Sequence, residues 1–146
     1  MQILLTENAD EPRAEILAAA LAGKHFATTT ALARAVTAAL ARLPKEDCDL
    51  AIRRVFQALR IAVNDEFSAL ETFLRLLPSC LNAGGRAVVL SFHSGEDRRV
   101  KKSFEAGRRD GFYAEISADV LRPGPEERRG NPRSTPAKLR WARKSR

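Results

Sequence analysis

Cysteine, tryptophan, tyrosine and methionine are all scarce in this chain, with two Cys and one each of the others. The two cysteines, Cys48 and Cys80, stand alone: neither belongs to a CxxC, and the histidines His25 and His93 lie far from both in sequence. Structural zinc needs four soft or borderline ligands at characteristic spacing. Two free thiols are therefore a better reading than a metal module. Long apolar runs are missing too, and nothing approaches the ~20 residues of a membrane span. Residues 1–6 carry no basic segment ahead of an apolar one, so no signal peptide is expected. The expectation is a cytoplasmic location and no membrane partner. Glycine is equally sparing in its placement. Gly84-Gly85 is the only pair, and no G-x-G-x-x-G occurs anywhere.

What is present is the composition of a globular domain, 45% hydrophobic and 29% charged over 146 residues. A chain of that length buries a modest core. Charge is unevenly spread. Residues 1–97 hold 10 Lys/Arg against 12 Asp/Glu, whereas residues 98–146 hold 15 against 6. A one-sided cationic excess points to an anionic partner. Nucleic acid fits better than a membrane, because the basic end has few apolar residues to insert. The competing reading is a solvated basic tail.

Periodicity organises the rest. Residues 10–22 read as a helix with Asp10 as N-cap, Pro12 in the first turn and Gly23 as the stop. Residues 29–43 read as a second, capped by Thr28 or Thr29 and ended by Pro44, with 44–49 a polar connector. Over 50–77, Ile52, Val55, Phe56, Leu59, Val63, Phe67, Leu70, Leu74 and Leu77 step by three or four. That is one long amphipathic helix with at most one break, stopped by Pro78. After the turn at 82–85, residues 86–92 form a nearly continuous apolar run with β-branched residues, the pattern of a buried strand in a parallel sheet. Ser94 as N-cap with Asp97 three residues on then opens a helix over about 95–106. Residues 111–121 suggest another strand, 122–136 a Pro/Gly/Arg loop, and 138–143 a last strand. In that strand Leu139 and Trp141 face one way, with Lys138, Arg140 and Arg143 mostly away from them. Turn, strand and helix in succession make half of a βαβ unit.

Three blocks then carry a resemblance. RRVFQALRIAVNDEFSALE (53–71), GGRAVVLSFHSGEDRRVKKSF (84–104) and NPRSTPAKLR (131–140) are similar to the MraW family of ribosomal RNA small subunit methyltransferases H, and occur in that family's order. Residues 7–36 resemble the end of the family's inserted helical domain. The resemblance implies an α/β fold, with a partial Rossmann-like methyltransferase sheet (its last strands) preceded by a helical segment. It divides the chain into 1–49, helical, and 50–146, the later part of the methyltransferase domain with a basic tail. It implies methyl transfer from S-adenosylmethionine to a cytidine N4 amine in 16S ribosomal RNA of the small ribosomal subunit.

The family's GxGGH-type loop, its ribose-gripping acid and its SSPQLD-like segment have no counterpart here, so S-adenosylmethionine is implied by the family alone and no residue is assigned to it. Gly95 also stands where the family usually has leucine, which would loosen the start of the following helix.

The candidate RNA-contacting residues are Arg53, Arg60, Asn64, His93, Ser94, Asn131, Arg133, Lys138 and Arg140. His93 and Ser94 lie just past the C-terminal end of a strand, where open α/β sheets bind ligands. The plainer reading of both is turn-shaping and capping. Arg53, Arg60 and Asn64 form a polar stripe at helical spacing, with an Arg60–Asn64 pair as its structural alternative. The basic end offers phosphate contacts, and Trp141 is either a stacking surface or core. No catalytic residue is assigned. Two functions compete: a methyltransferase polypeptide needing a cofactor-binding second chain, or a non-catalytic RNA-binding module of that family. A third and weaker reading is a degenerate product or a fragment of a longer protein. Because the strand at 87–92 would lack a neighbour, either Gln2–Thr6 folds back as a substitute strand or two copies pair as a homodimer.

Overall fold

The computed structural model describes all residues, 1–146. Contacts gather into two compact units, Met1–Glu66 and Phe67–Arg146.

The first unit is helical: α1 (Gln2–Ala9), α2 (Ala14–Leu21), α3 (Thr29–Ala39) and α4 (Lys45–Asn64). Leu5 and Ala9 of α1, Leu17 and Leu21 of α2, Val36 of α3, and Ala51, Val55 and Ala58 of α4 form one buried cluster. The substitute-strand expectation for residues 2–6 is therefore corrected. Leu5 and Ala9 are four apart, which places them on one helical face, while Ile3 between them and the terminus is exposed. A polar latch fixes α1 on α4, since Asn8 Nδ2 donates to the Ala58 carbonyl at 3.2 Å and Gln57 Nε2 donates to the Asn8 carbonyl at 3.2 Å.

Asp10 does not cap α2. It sits in the left-handed region (φ 48°) and ends α1, its N–H bonded to the Thr6 carbonyl. Thr28 caps α3 as expected, accepting from the Ala31 N–H at 3.1 Å. The connector at 44–49 is instead the first turn of α4, with Glu46 and Asp47 at the positive end of its dipole.

The long amphipathic segment is broken once, at Asp65 (φ 51°). Beyond it α5 (Glu66–Cys80) runs through Pro78 and ends two residues later. Proline lacks only one donor there, close to the helix end, so it marks the terminus without enforcing it.

The second unit continues with β1 (Arg86–Ser91), α6 (Ser94–Arg109), β2 (Tyr113–Ile116), α7 (Pro125–Gly130), a single 3-10 turn at Pro132–Ser134, and β3 (Lys138–Lys144). The sheet order is β1-β3-β2, and β3 runs antiparallel to both neighbours. Hence β1 and β2 are parallel to each other, with α6 as their crossover. Strand β1 is correctly placed, but its environment differs from the expected one. Its immediate neighbour is antiparallel, pairing Val88 with Trp141 and Leu90 with Leu139. Ala87 and Ser91 are buried, whereas Val88 and Leu90 are 62% and 53% exposed.

Ala87 and Ala142 pack with Tyr113, with Val100 and Phe104 of α6, and with Leu74 and Leu77 of α5. Gly107 permits this packing, because a Cβ there would meet the Tyr113 ring at 2.6 Å. In β3 the inward residues are Arg140 and Ala142, so the expected outward direction of Arg140 is also corrected.

The expected long strand 111–121 shrinks to four residues plus one bridge, Leu121 to Leu139. The expected loop holds a short helix, α7, with Pro125 at its start, Glu126 and Glu127 in the first turn, and Arg128 and Arg129 in the last. That is the charge order the helix dipole favours.

Candidate nucleic-acid interface

In the first unit, Arg53 is exposed and lies with Ile52, Phe56, Gln57 and Arg60 around a shallow hollow on α4. Arg60 and Asn64 do not pair directly. Both reach Glu66: Arg60 Nε and an Nη bond the two carboxylate oxygens at 2.8 and 3.0 Å, and Asn64 Nδ2 donates at 3.1 Å. The stripe therefore holds one unpaired cation, Arg53, beside a carboxylate clamp that closes the end of α4.

In the second unit, the turn from β1 into α6 is held by its own side chains. The N-cap is His93, one residue before the expected Ser94. Its Nδ1 accepts from the Glu96 N–H at 3.4 Å. Glu96 Oε2 in return accepts from the Phe92 N–H at 3.0 Å. This is a variant of the capping box with histidine in the serine role, in which the carboxylate takes the N–H of the residue before the cap. Glu96 Oε1 also lies 3.2 Å from His93 Nε2, close enough for attraction but not aligned as a hydrogen bond. The His93 side chain is the main cause that holds the Glu96 carboxyl down to about 2; partial burial opposes it, and the Phe92 N–H assists.

Gly95 is not a loose spot. It is buried, and a Cβ there would lie 2.7 Å from Phe67 Cζ and 3.3 Å from the His93 ring. The Phe67 ring fills the place of the side chain glycine lacks. Arg99 stacks on that ring with its guanidinium carbon 3.4 Å from the centroid, and ties itself to Glu71 at 2.8 Å and to the Gly95 carbonyl at 3.1 Å.

The basic C-terminal stretch is likewise engaged. Asn131 turns its carbonyl to the Ser134 hydroxyl at 2.8 Å. Arg133 is exposed, and Lys138 is half-buried. Arg140 makes two bonds to Asp97, at 2.7 and 3.1 Å, with side chains only 9% and 16% exposed. Of the nine candidate residues, then, Arg53, Arg133 and Lys138 keep their charge free of carboxylates, while Arg60 and Arg140 do not.

A donor cofactor of adenosyl type calls for a backbone cradle, and the residues present do not form one. After β1 the amides of Phe92 and Glu96 are taken by side chains of the same turn, and Phe67 occupies the space at Gly95. The glycine pair precedes β1, and its amides bond the Ser145 and Asn82 carbonyls at 3.4 and 2.8 Å.

What sequence reasoning missed is the opposite sheet face. Val88, Leu90, Phe92 and Leu121 are all more than half exposed. Leu90, Leu121 and Leu139 line a small hollow there of about 140 Å³. β1 is also an outer strand, with one backbone edge unpaired. Alternation at 88, 90 and 92 would have signalled two unlike faces, had the run not looked uniformly apolar.

A family model for the MraW methylase family matches residues 4–145. The chain is 45% identical to ribosomal RNA small subunit methyltransferase H 1 of Lachnoclostridium phytofermentans, over 99% of its own length and 42% of the relative's. It is 46% identical to methyltransferase H 2 of Alkaliphilus metalliredigens (99% and 44%) and 42% identical to methyltransferase H of Acidobacterium capsulatum (97% and 48%). It thus spans a little under half the length of these relatives. No helix is long and apolar enough to cross a membrane.

Proposed function

The chain belongs to the MraW methylase family, and on that premise we propose that it supplies the later sheet strands and an RNA-contacting surface to a cytosine-N4 methyltransferase of 16S ribosomal RNA. In this reading β1, α6 and β2 are a βαβ unit of a Rossmann-like sheet. The S-adenosylmethionine site comes from a companion polypeptide with the glycine-rich loop, seated along the free edge of β1.

The observation that carries the proposal is the bare apolar face. Val88, Leu90, Phe92 and Leu121 project from a sheet whose other face carries the buried cluster around Ala87, Tyr113 and Ala142. An unpaired edge beside an exposed apolar row is an aggregation hazard for a lone domain. The same surface is an interface when a further strand and helix cover it. The matched relatives have more than as much chain again in which to build such a cover.

A second reading, a non-catalytic RNA-binding module, draws support from the cationic excess after residue 97 and from the spent amides around Gly95. Isothermal titration with S-adenosylmethionine separates the two. The chain alone should bind no donor tightly, and donor binding should appear when a companion bearing a GxGGH loop is added. Co-purification without donor binding favours the module. Tight donor binding by the chain alone overturns both.

A further inference from the structure

One hollow of the second unit lies where none of the candidate RNA residues except Arg140 reaches. It is a groove of about 490 Å³ between the outer side of α6 and the end of β2. Its rim carries Lys101, Arg108 and Arg109, and its floor includes Phe104, Ser117 and the paired Arg140. Glu105 lies among these cations, only loosely engaged by Lys101 at 3.8 Å, and Glu115, paired with Arg143, feels Arg108 at longer range. Arg108 and Arg109 are exposed and have no carboxylate within ion-pair distance.

We propose that this groove is a docking site for the phosphate backbone of single-stranded RNA. The inference rests on the RNA-contacting part of the function proposed above, and it moves the main contact from the C-terminal strand to α6. Three arguments support it. First, the charge is available: the other buried or half-buried arginines of the unit are committed to Asp97, Glu71 and Glu115. Second, the spacing suits a chain of phosphates. Lys101 and Arg108 are seven residues apart on one helix face, about 10 Å along its axis at ~1.5 Å per residue. Successive phosphates of a strand can engage cations spread over that length, with Arg109 beside them. Third, the floor presents no exposed aromatic ring, because Phe104 is 2% exposed. Bases find no ring to stack on there, and the groove offers its cations to the backbone.

Two structural alternatives exist for the same cations. Arginines in the last turn complement the helix dipole, and charge beside an outer strand discourages edge pairing. Neither predicts RNA affinity with a defined salt slope.

The test uses the full chain and a fluorescently labelled 12-nucleotide single-stranded RNA, followed by anisotropy across a salt series. The K101Q/R108Q/R109Q variant is compared with R133Q/K138Q, with circular dichroism confirming that both fold. Each lost phosphate contact on a single strand flattens the log–log slope by ~0.7. Three lost contacts flatten it by about 2, so that raising salt from ~50 to ~200 mM weakens the groove variant roughly 20-fold less than the wild type. R133Q/K138Q should change the slope by less. An unchanged slope in the groove variant, with wild-type RNA binding intact, overturns this inference alone. Complete displacement of RNA by millimolar inorganic phosphate also overturns it, since that would make the groove a small-anion site. Failure of the wild type to bind RNA at all overturns the RNA-contacting reading as well.

Discussion

Arg140 looks from sequence like one more cation of a basic tail, yet the fold makes it a buried strut. Its Nε and an Nη meet the two oxygens of Asp97 at 2.7 and 3.1 Å, joining the middle of β3 to the first turn of α6. Replacing Arg140 by Ala leaves the Asp97 carboxylate almost buried without a counter-charge. Breaking a buried pair in this one-sided way costs about 3–5 kcal/mol. The 80 residues of this unit, at ~0.05–0.15 kcal/mol each, have only about 4–12 kcal/mol in total.

Arg140→Ala should therefore lower the urea midpoint of this unit by roughly 2 M, for a slope of ~2 kcal/mol per M. Arg140→Lys should recover little, because an ammonium cannot reproduce the two-pronged contact. Removing both charges with shape-filling residues, Arg140→Met with Asp97→Leu, should recover most of the loss. The assay is urea denaturation followed by circular dichroism. A loss below ~1 kcal/mol for Arg140→Ala is the behaviour of an exposed pair and would refute the reasoning.

Three further predictions concern the packing around this frame. Gly95→Leu should destabilise by about 1–3 kcal/mol through overpacking, because its Cβ would already collide with Phe67; Phe67→Val should relieve much of that, and additive effects in thermal melts would contradict the contact. Glu96 has its pKa lowered from 4.5 to about 2, so its contribution to stability is fully present above 4.5 and is lost as pH falls toward 2. The stability gap between wild type and Glu96→Gln should therefore close across that window in urea titrations, and a gap independent of pH would disprove the capping role. Leu5→Ala should cost about 2–5 kcal/mol, since Leu5 is fully buried against α4; a change within ~0.5 kcal/mol would mean that α1 does not dock.

Legibility followed the strength of the local signal. The stripe from Ile52 to Leu77 was readable because burial of one helix face repeats every three to four residues over many turns. Its break at Asp65 needed a left-handed residue, and aspartate adopts that conformation without announcing it. The first helix was illegible because Ile3, Leu4 and Leu5 are consecutive. Only the surface of α4 decides which of them is buried.

The capping turn was misplaced by one residue for a related reason. Serine is the commoner N-cap, and histidine takes the role here only because Phe67 and Glu96 hold its ring. Arg140 was misjudged because a buried arginine looks the same in sequence as a solvated one until its partner, 43 residues away, is located. The groove along α6 was invisible for the converse reason: Lys101, Arg108 and Arg109 read as a soluble helix face, and only the end of β2 turns that face into a concavity.

A methyl-transfer assay with labelled S-adenosylmethionine and 16S ribosomal RNA tests the proposed division of labour most directly. The chain alone should transfer nothing. A companion with the glycine-rich loop should produce transfer, and Val88→Lys with Leu90→Lys on the bare face of β1 should abolish it. Transfer by the isolated chain, or transfer with the companion that is indifferent to those two lysines, would contradict the account.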